Sequence, residues 1–225
     1  LGLDTMGHVA RNTYDLVPDD EQREAFQVPE FIHRMIEKKY LGKKAKSGFY
    51  KTDLTPEWKK VRKVIQVDTL EYAEYGTPDF PCLAEAKKAK PLPEKMKAVL
   101  YGDDKGARFA WKAMAWAFIY AANRIPEISD TVVEIDNAMK WGYNWELGPF
   151  ESWDAIGLEK SVGKMKADGF KVPEKIEKML AKKATSFYKI EKGQKMFYDF
   201  ASASYKPMRV SATAISLAAL REEKK

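Results

Sequence analysis

The chain has 225 residues, 45% of them apolar, with 39 Lys and Arg against 33 Asp and Glu for a formal net charge of +6. That length suits one large domain or two small ones, and the composition is ordinary for a globular protein. One cysteine, Cys82, excludes an intrachain disulfide framework and fits a reducing compartment, and the longest apolar stretch, Ala113 to Ala122, is too short to span a bilayer.

The opening residues, Leu1-Gly2-Leu3-Asp4-Thr5, return in altered form as Ile156-Gly157-Leu158-Glu159-Lys160. No basic region before an apolar run marks a signal peptide there. Val28-Pro29-Glu30-Phe31-Ile32-His33-Arg34-Met35-Ile36 matches Val172-Pro173-Glu174-Lys175-Ile176-Glu177-Lys178-Met179-Leu180, and Gly48-Phe49-Tyr50-Lys51 matches Ser186-Phe187-Tyr188-Lys189. Three blocks in one order predict a duplicated unit. Only the second copy has a preamble, residues 105–155, so the chain reads as starting inside a unit, as does its want of an initiator Met.

Residues 29–40 predict a helix. Pro29-Glu30 suits a first turn, Phe31, Ile32, Met35 and Ile36 share one apolar face, and Lys38-Lys39 suits a C-terminal end. Residues 173–183 repeat this design. Pro56, Pro78, Pro81, Pro91 and Pro93 divide residues 51–104, which read as a connector packed over the units. Short helices are expected there at Glu57 to Lys63 and Pro93 to Leu100, with Val64-Ile65-Gln66-Val67 the one strand-like run.

Residues 105–123 make the strongest helix candidate, with Phe109, Ala110, Ala113, Met114, Ala117, Phe118 and Ala121 on a broad face. The next helix should begin near Ser129 or Asp130 and stop at Gly142. Gly148-Pro149-Phe150-Glu151 predicts a restart with proline at the first position and an acid in the first turn. A last helix is expected over Ala212 to Lys224.

Chemical motifs are sparse. No Gly-x-Gly occurs, which excludes a dinucleotide fingerprint, and there is no phosphate-binding P-loop. Cys82 reads as an inert thiol. Asp4 and His8 are spaced to share a helix face, which suits a local hydrogen bond better than a metal site. His33 reads as a satisfied, half-buried histidine. Three lysine groups could contact phosphates: Lys38, Lys39, Lys43, Lys44 and Lys46; Lys59, Lys60, Arg62 and Lys63; Lys87, Lys88 and Lys90. A solvated face accounts for them more simply. Trp141, Trp145 and Trp153 are expected to pack between helices.

Asp136-Asn137-Ala138-Met139-Lys140-Trp141-Gly142, running through Gly148-Pro149-Phe150-Glu151 to Asp154-Ala155-Ile156-Gly157-Leu158, combines with Lys39-Tyr40-Leu41-Gly42-Lys43-Lys44 and Ser47-Gly48-Phe49-Tyr50. Together these segments resemble the C-terminal helical domain of the 3-hydroxyacyl-CoA dehydrogenases, over about residues 1–51 and 105–190. The resemblance implies an all-α chain of tandem domains, like the C-terminal part of 6-phosphogluconate dehydrogenase. Its expected divisions are residues 1–51, the second half of a first unit; 52–104, a connector; 105–190, a degenerate second unit; and 191–225, a tail leading toward a hydratase module.

Several expectations follow from that resemblance. The parent would be an NAD-dependent enzyme of fatty-acid β-oxidation, cytoplasmic and fused to an enoyl-CoA hydratase. The family's catalytic His–Glu pair, its NAD-binding Rossmann domain and its catalytic asparagine would all lie upstream. This chain would therefore hold no catalytic residue, NAD or metal, and would be inactive alone. It would serve the substrate side and pack against its tandem copy or a dimer partner, and Lys43 and Lys44 are candidates for the CoA phosphates. Membrane and nucleic acid are not expected partners. The rival reading, a non-catalytic basic helical module binding nucleic acid or a protein, rests on the lysine clusters alone.

Overall fold

The computed structural model describes residues 2–208, and the helix expected over Ala212 to Lys224 lies outside them. The chain divides between Pro78 and Asp79 into two units.

In the first unit, α1 (Leu3–Leu16) and α2 (Glu30–Glu37) precede a sheet of β1 (Tyr50–Leu54), β2 (Lys60–Ile65) and β3 (Tyr72–Glu74). Pro29 precedes α2 with extended backbone, so its fixed φ leads straight into the first turn. The apolar stripe of α2 buries Ile32 and Met35 against Leu3, Ile65 and Leu70. The sheet is an antiparallel meander in the order β1-β2-β3, with Tyr50 opposite Val64 and Val64 opposite Ala73.

The second unit begins with α3 (Pro81–Lys88), α4 (Leu92–Leu100), α5 (Lys105–Asn123) and α6 (Val132–Tyr143). Asp104 caps α5 by accepting the Ala107 N–H at 2.9 Å, and Thr131 caps α6. Next come α7 (Pro149–Ile156), α8 (Leu158–Ala167) and α9 (Glu174–Ala181), then the meander β4 (Tyr188–Glu191), β5 (Gln194–Asp199) and β6 (Ser204–Pro207). Its core is aromatic. Phe118 stacks on Trp153 at 5.1 Å, while Phe187 meets Phe150 at 4.9 Å and Trp153 at 5.4 Å.

Two three-stranded antiparallel sheets make this a mixed α and β chain and correct the all-α expectation. Alternation is hard to read in these strands because Lys and Tyr, which carry both apolar and polar parts, fill many of their positions. Glu57 to Lys63 is not a helix: Trp58 has φ 61°, a left-handed turn conformation, and Lys60 opens β2. The α6 helix runs through Gly142 to Tyr143 and is stopped by Asn144 at φ 56°. Residues 52–78, within the stretch read as a connector, complete the first unit, whereas 79–104 belong to the second.

The units share more than the three sequence blocks. Met6 N–H donates to Gly2 and Ser161 N–H to Gly157, both at 3.0 Å. Tyr40 N–H reaches Met35 as Ala184 N–H reaches Met179, and Ile65 N–H reaches Phe49 as Tyr198 N–H reaches Phe187. Lys39 and Lys183 close their helices at φ 60° and 61°. Tyr72 donates its hydroxyl to the Gly48 carbonyl at 2.6 Å, and Tyr205 to the Ser186 carbonyl at 2.5 Å.

Candidate functional site

Among the described residues, two places combine polar or concave features. The first, in the second unit, is the seam where α7 meets the start of β4. Gly148 lets the chain pass against Asp136: a Cβ there would fall 2.3 Å from Asp136 Oδ1 and 2.4 Å from its Cα. Pro149 then starts α7, and Glu151 accepts the Gly148 N–H at 3.1 Å, which closes the first turn.

Asp136 accepts the Phe150 N–H at 2.8 Å, the Glu151 N–H at 3.1 Å and the Tyr188 hydroxyl at 2.7 Å. Asp154, one turn further along α7, accepts the N–H groups of Phe187 and Tyr188, each at 2.8 Å. Two carboxylates thus tie the helix start to α6 and the helix end to β4. Burial is the main reason that the Asp136 carboxyl is pushed up to about 6 and that of Asp154 to about 7. Burial, followed by the charge of Asp136, also raises the Tyr188 hydroxyl. Glu151 is held below its usual range: burial pushes it up, but Lys140 at 2.9 Å, the Gly148 N–H and Lys195 outweigh that. Each of these carboxylates is engaged by two or more protein donors, so the seam reads as an anchor.

The second place is a cavity of about 910 Å³ in the first unit, lined among others by Gly2, Leu3, Met6, Gly42, Gly48, Phe49 and Tyr50, with Lys43, Lys46 and Arg62. Gly42 turns at φ 121° and accepts Gly48 against its own Cα, where a Cβ on Gly48 would come within 2.6 Å. Lys43 lines this cavity, while Lys44 lies beside it on the same exposed 3₁₀ turn, Lys43–Ala45, and is not among the lining residues. Met6 is 47% exposed, Phe49 36% and Tyr50 47%.

The other sequence candidates stay apart from both places. Asp4 and His8 are exposed on α1, and no cluster of His, Cys, Asp or Glu able to hold a metal occurs among the described residues. His33 is half-buried and lines a smaller cavity with Arg11 and Tyr14. Cys82 is buried, and its thiol is pushed up by burial and by Asp104, to which it donates at 3.3 Å. The lysine groups are partly paired: Lys63 and Lys51 both hold Asp53 at 3.0 Å, Lys88 holds Glu85, and Arg62 lies over Tyr50. Trp153 is core, as expected, whereas Trp141 is 81% exposed. Tyr188 and Asp154 were not singled out from sequence as a pair; their meeting depends on a separation of 34 residues.

Over its whole length the chain is similar to a 3-hydroxyacyl-CoA dehydrogenase sequence. The relative, "Probable 3-hydroxyacyl-CoA dehydrogenase" of Bacillus subtilis (strain 168), is 42% identical over 226 residues, covering 100% of this chain and 27% of the relative. Two proteins named "Putative fatty acid oxidation complex trifunctional enzyme" are each 26% identical: one from Rickettsia felis over 152 residues and one from Rickettsia prowazekii over 154, each covering 67% of this chain and 19% of the relative. The chain thus spans about a quarter or less of the curated relatives it matches. No family profile matches it, and no solved structure does. The described residues do not fit NAD as a dinucleotide-binding unit: both sheets are antiparallel meanders without a βαβ crossover. No helix among them is long and apolar enough to cross a membrane.

Proposed function

We propose that this chain is the substrate-side part of an NAD-dependent (3S)-3-hydroxyacyl-CoA dehydrogenase of fatty-acid β-oxidation. The observation that carries this reading is the 42% identity to a protein so named, sustained from one end of the chain to the other. The segments of the resemblance are also the ones the fold relies on. Gly148, Phe150, Glu151 and Asp154 build the anchored helix α7, and Phe187 and Tyr188 receive it.

In this reading the dinucleotide domain and the proton-transferring pair are supplied by the rest of the polypeptide, as is a hydratase module; residues 1–51 are the second half of a first unit, and 105–190 are its degenerate tandem copy. The second copy supports the first, and its buried carboxylates serve packing. NAD, when bound by the parent, supplies the hydride acceptor. Lys43, which lines the first unit's cavity, and Lys44 beside it on the same exposed turn are the candidates whose charge suits the CoA phosphates. The parent is a cytoplasmic enzyme.

The test is NAD reduction by the intact polypeptide with (3S)-3-hydroxyacyl-CoA substrates; no NADH formation at any acyl length would end the reading. Lys43→Ala and Lys44→Ala in that polypeptide are expected to raise KM for CoA substrates several-fold with little change in kcat. An unchanged KM removes the lysines from the proposal.

A further inference from the structure

The outer face of the first unit's sheet carries an aromatic and cationic cluster. Tyr50, Thr52 and Leu54 alternate along the exposed side of β1, while the less exposed Lys51 and Asp53 take the other side. Arg62 stands opposite Thr52, and the Tyr75 N–H, just past β3, donates to the Arg62 carbonyl at 3.1 Å. The Arg62 guanidinium lies between two tyrosines. Its carbon is 4.2 Å from the Tyr50 ring centre and 4.9 Å from that of Tyr75, and the two rings meet edge to face at 5.7 Å. Nothing among the described residues buries the cluster: Tyr50 is 47% exposed and Tyr75 36%. Tyr50 and Arg62 also line the cavity of about 910 Å³, together with Lys43 and Lys46, and no Asp or Glu lines it. Among the described residues none of these three cations is ion-paired, whereas Lys51 and Lys63 share Asp53 at 3.0 Å on the opposite side of the sheet.

We propose that Tyr50, Arg62 and Tyr75 hold the adenine ring of CoA, with Lys43 and Lys46 taking its phosphates. A guanidinium fixed on aromatic rings keeps its outer plane and its N–H fork free for a ligand. A planar base stacks on such a plane or on an exposed tyrosine, and phosphate oxygens accept from the fork and from ammonium groups. Unpaired cations around a cavity without carboxylates draw in a polyanion, and the tyrosines select one that carries a flat ring. The cavity is of the size that takes a small ligand, roughly 300–1,000 Å³. The chemistry recognised, a base beside phosphates, stands on this geometry; its assignment to CoA rests on the dehydrogenase reading.

The experiment titrates the full chain with adenosine 3′,5′-bisphosphate, CoA and phosphopantetheine, by calorimetry at low salt. The bisphosphate and CoA should bind alike. Phosphopantetheine keeps a phosphate and lacks the base, and should bind about tenfold or more weakly. Tyr75→Leu changes no charge; it should weaken the bisphosphate about tenfold and leave inorganic pyrophosphate bound as before, which also shows that the variant is folded. Arg62→Gln should weaken both. No binding of the bisphosphate, or equal affinity for phosphopantetheine, overturns the proposal. So does binding of a single-stranded uridine oligonucleotide tenfold tighter than the bisphosphate, which would make the face a polynucleotide surface. Turnover by the intact polypeptide without nucleotide binding at this face ends the site and leaves the enzymatic reading. Binding of the bisphosphate without turnover upholds the site and ends that reading.

Discussion

Phe187 and Phe49 hold matching places in two similar sequence segments, yet truncating them should cost very different amounts. Phe187 is fully buried and touches Phe150, Trp153 and Phe200. Phe187→Ala removes a ring that rigid neighbours on α7 cannot follow into the space, so the loss falls in the range of about 3–5 kcal/mol for buried aromatic truncations. For a unit of this size that lowers the thermal midpoint by roughly 10–15 °C. Phe49 keeps about a third of its surface in water and makes one edge contact with Phe31, at 6.3 Å. Phe49→Ala should cost about 1 kcal/mol. Hydrogen exchange resolved by segment assigns each loss to its unit, with thermal unfolding giving the total. Equal losses for the two substitutions would refute the claim that cover by α7 makes the difference between the two positions.

The seam also carries a pH signature. Burial raises Asp136 to about 6 and Asp154 to about 7, both above the ordinary 3.8. The folded state therefore holds protons that the unfolded chain releases, and the stability they lend is full below about pH 4 and lost as pH rises through 6 and 7. Thermal midpoints of the second unit should fall across that window, and Asp154→Asn should flatten its upper part; an unchanged profile in the Asn variant would contradict the assignment. Gly148→Ala should destabilise the second unit by about 1–3 kcal/mol, because the new Cβ meets the backbone of Asp136 as well as its side chain. A denaturant midpoint equal to that of the parent would show that the close approach is not needed.

The helices were legible where the physics is local. Pro29-Glu30 and Pro173-Glu174 start α2 and α9, and the apolar spacing of residues 105–123 matches the bounds of α5. The strands mostly were not: of the expected run Val64-Ile65-Gln66-Val67, Val64 and Ile65 lie in β2, which begins at Lys60. In β4 and β5 the Lys and Glu positions hide a two-fold alternation, and the hairpin between them turns on Lys192-Gly193, at φ 50° and 73°, without the asparagine or aspartate that usually announces such a turn. The helix α3 escaped notice because Pro78, Pro81 and Pro91 make its surroundings read as a broken connector, although Pro81 in fact opens it. At the seam, sequence supplied the residues but not their purpose. Asp136 and Asp154 stood inside a recognised segment, yet both donors to Asp154, Phe187 and Tyr188, and one of the three to Asp136, Tyr188, lie more than thirty positions away. Lys43 and Lys44 looked equivalent in sequence, but only Lys43 lines the cavity.

The central claim is that this chain serves a dehydrogenase whose reacting groups lie elsewhere in the polypeptide. Its most direct test is a paired assay of NAD reduction with (3S)-3-hydroxybutyryl-CoA, on the intact polypeptide and on the 225-residue chain alone. Turnover is expected from the intact polypeptide and none from the isolated chain. NADH formation by the isolated chain, or its absence from the intact polypeptide, would contradict it.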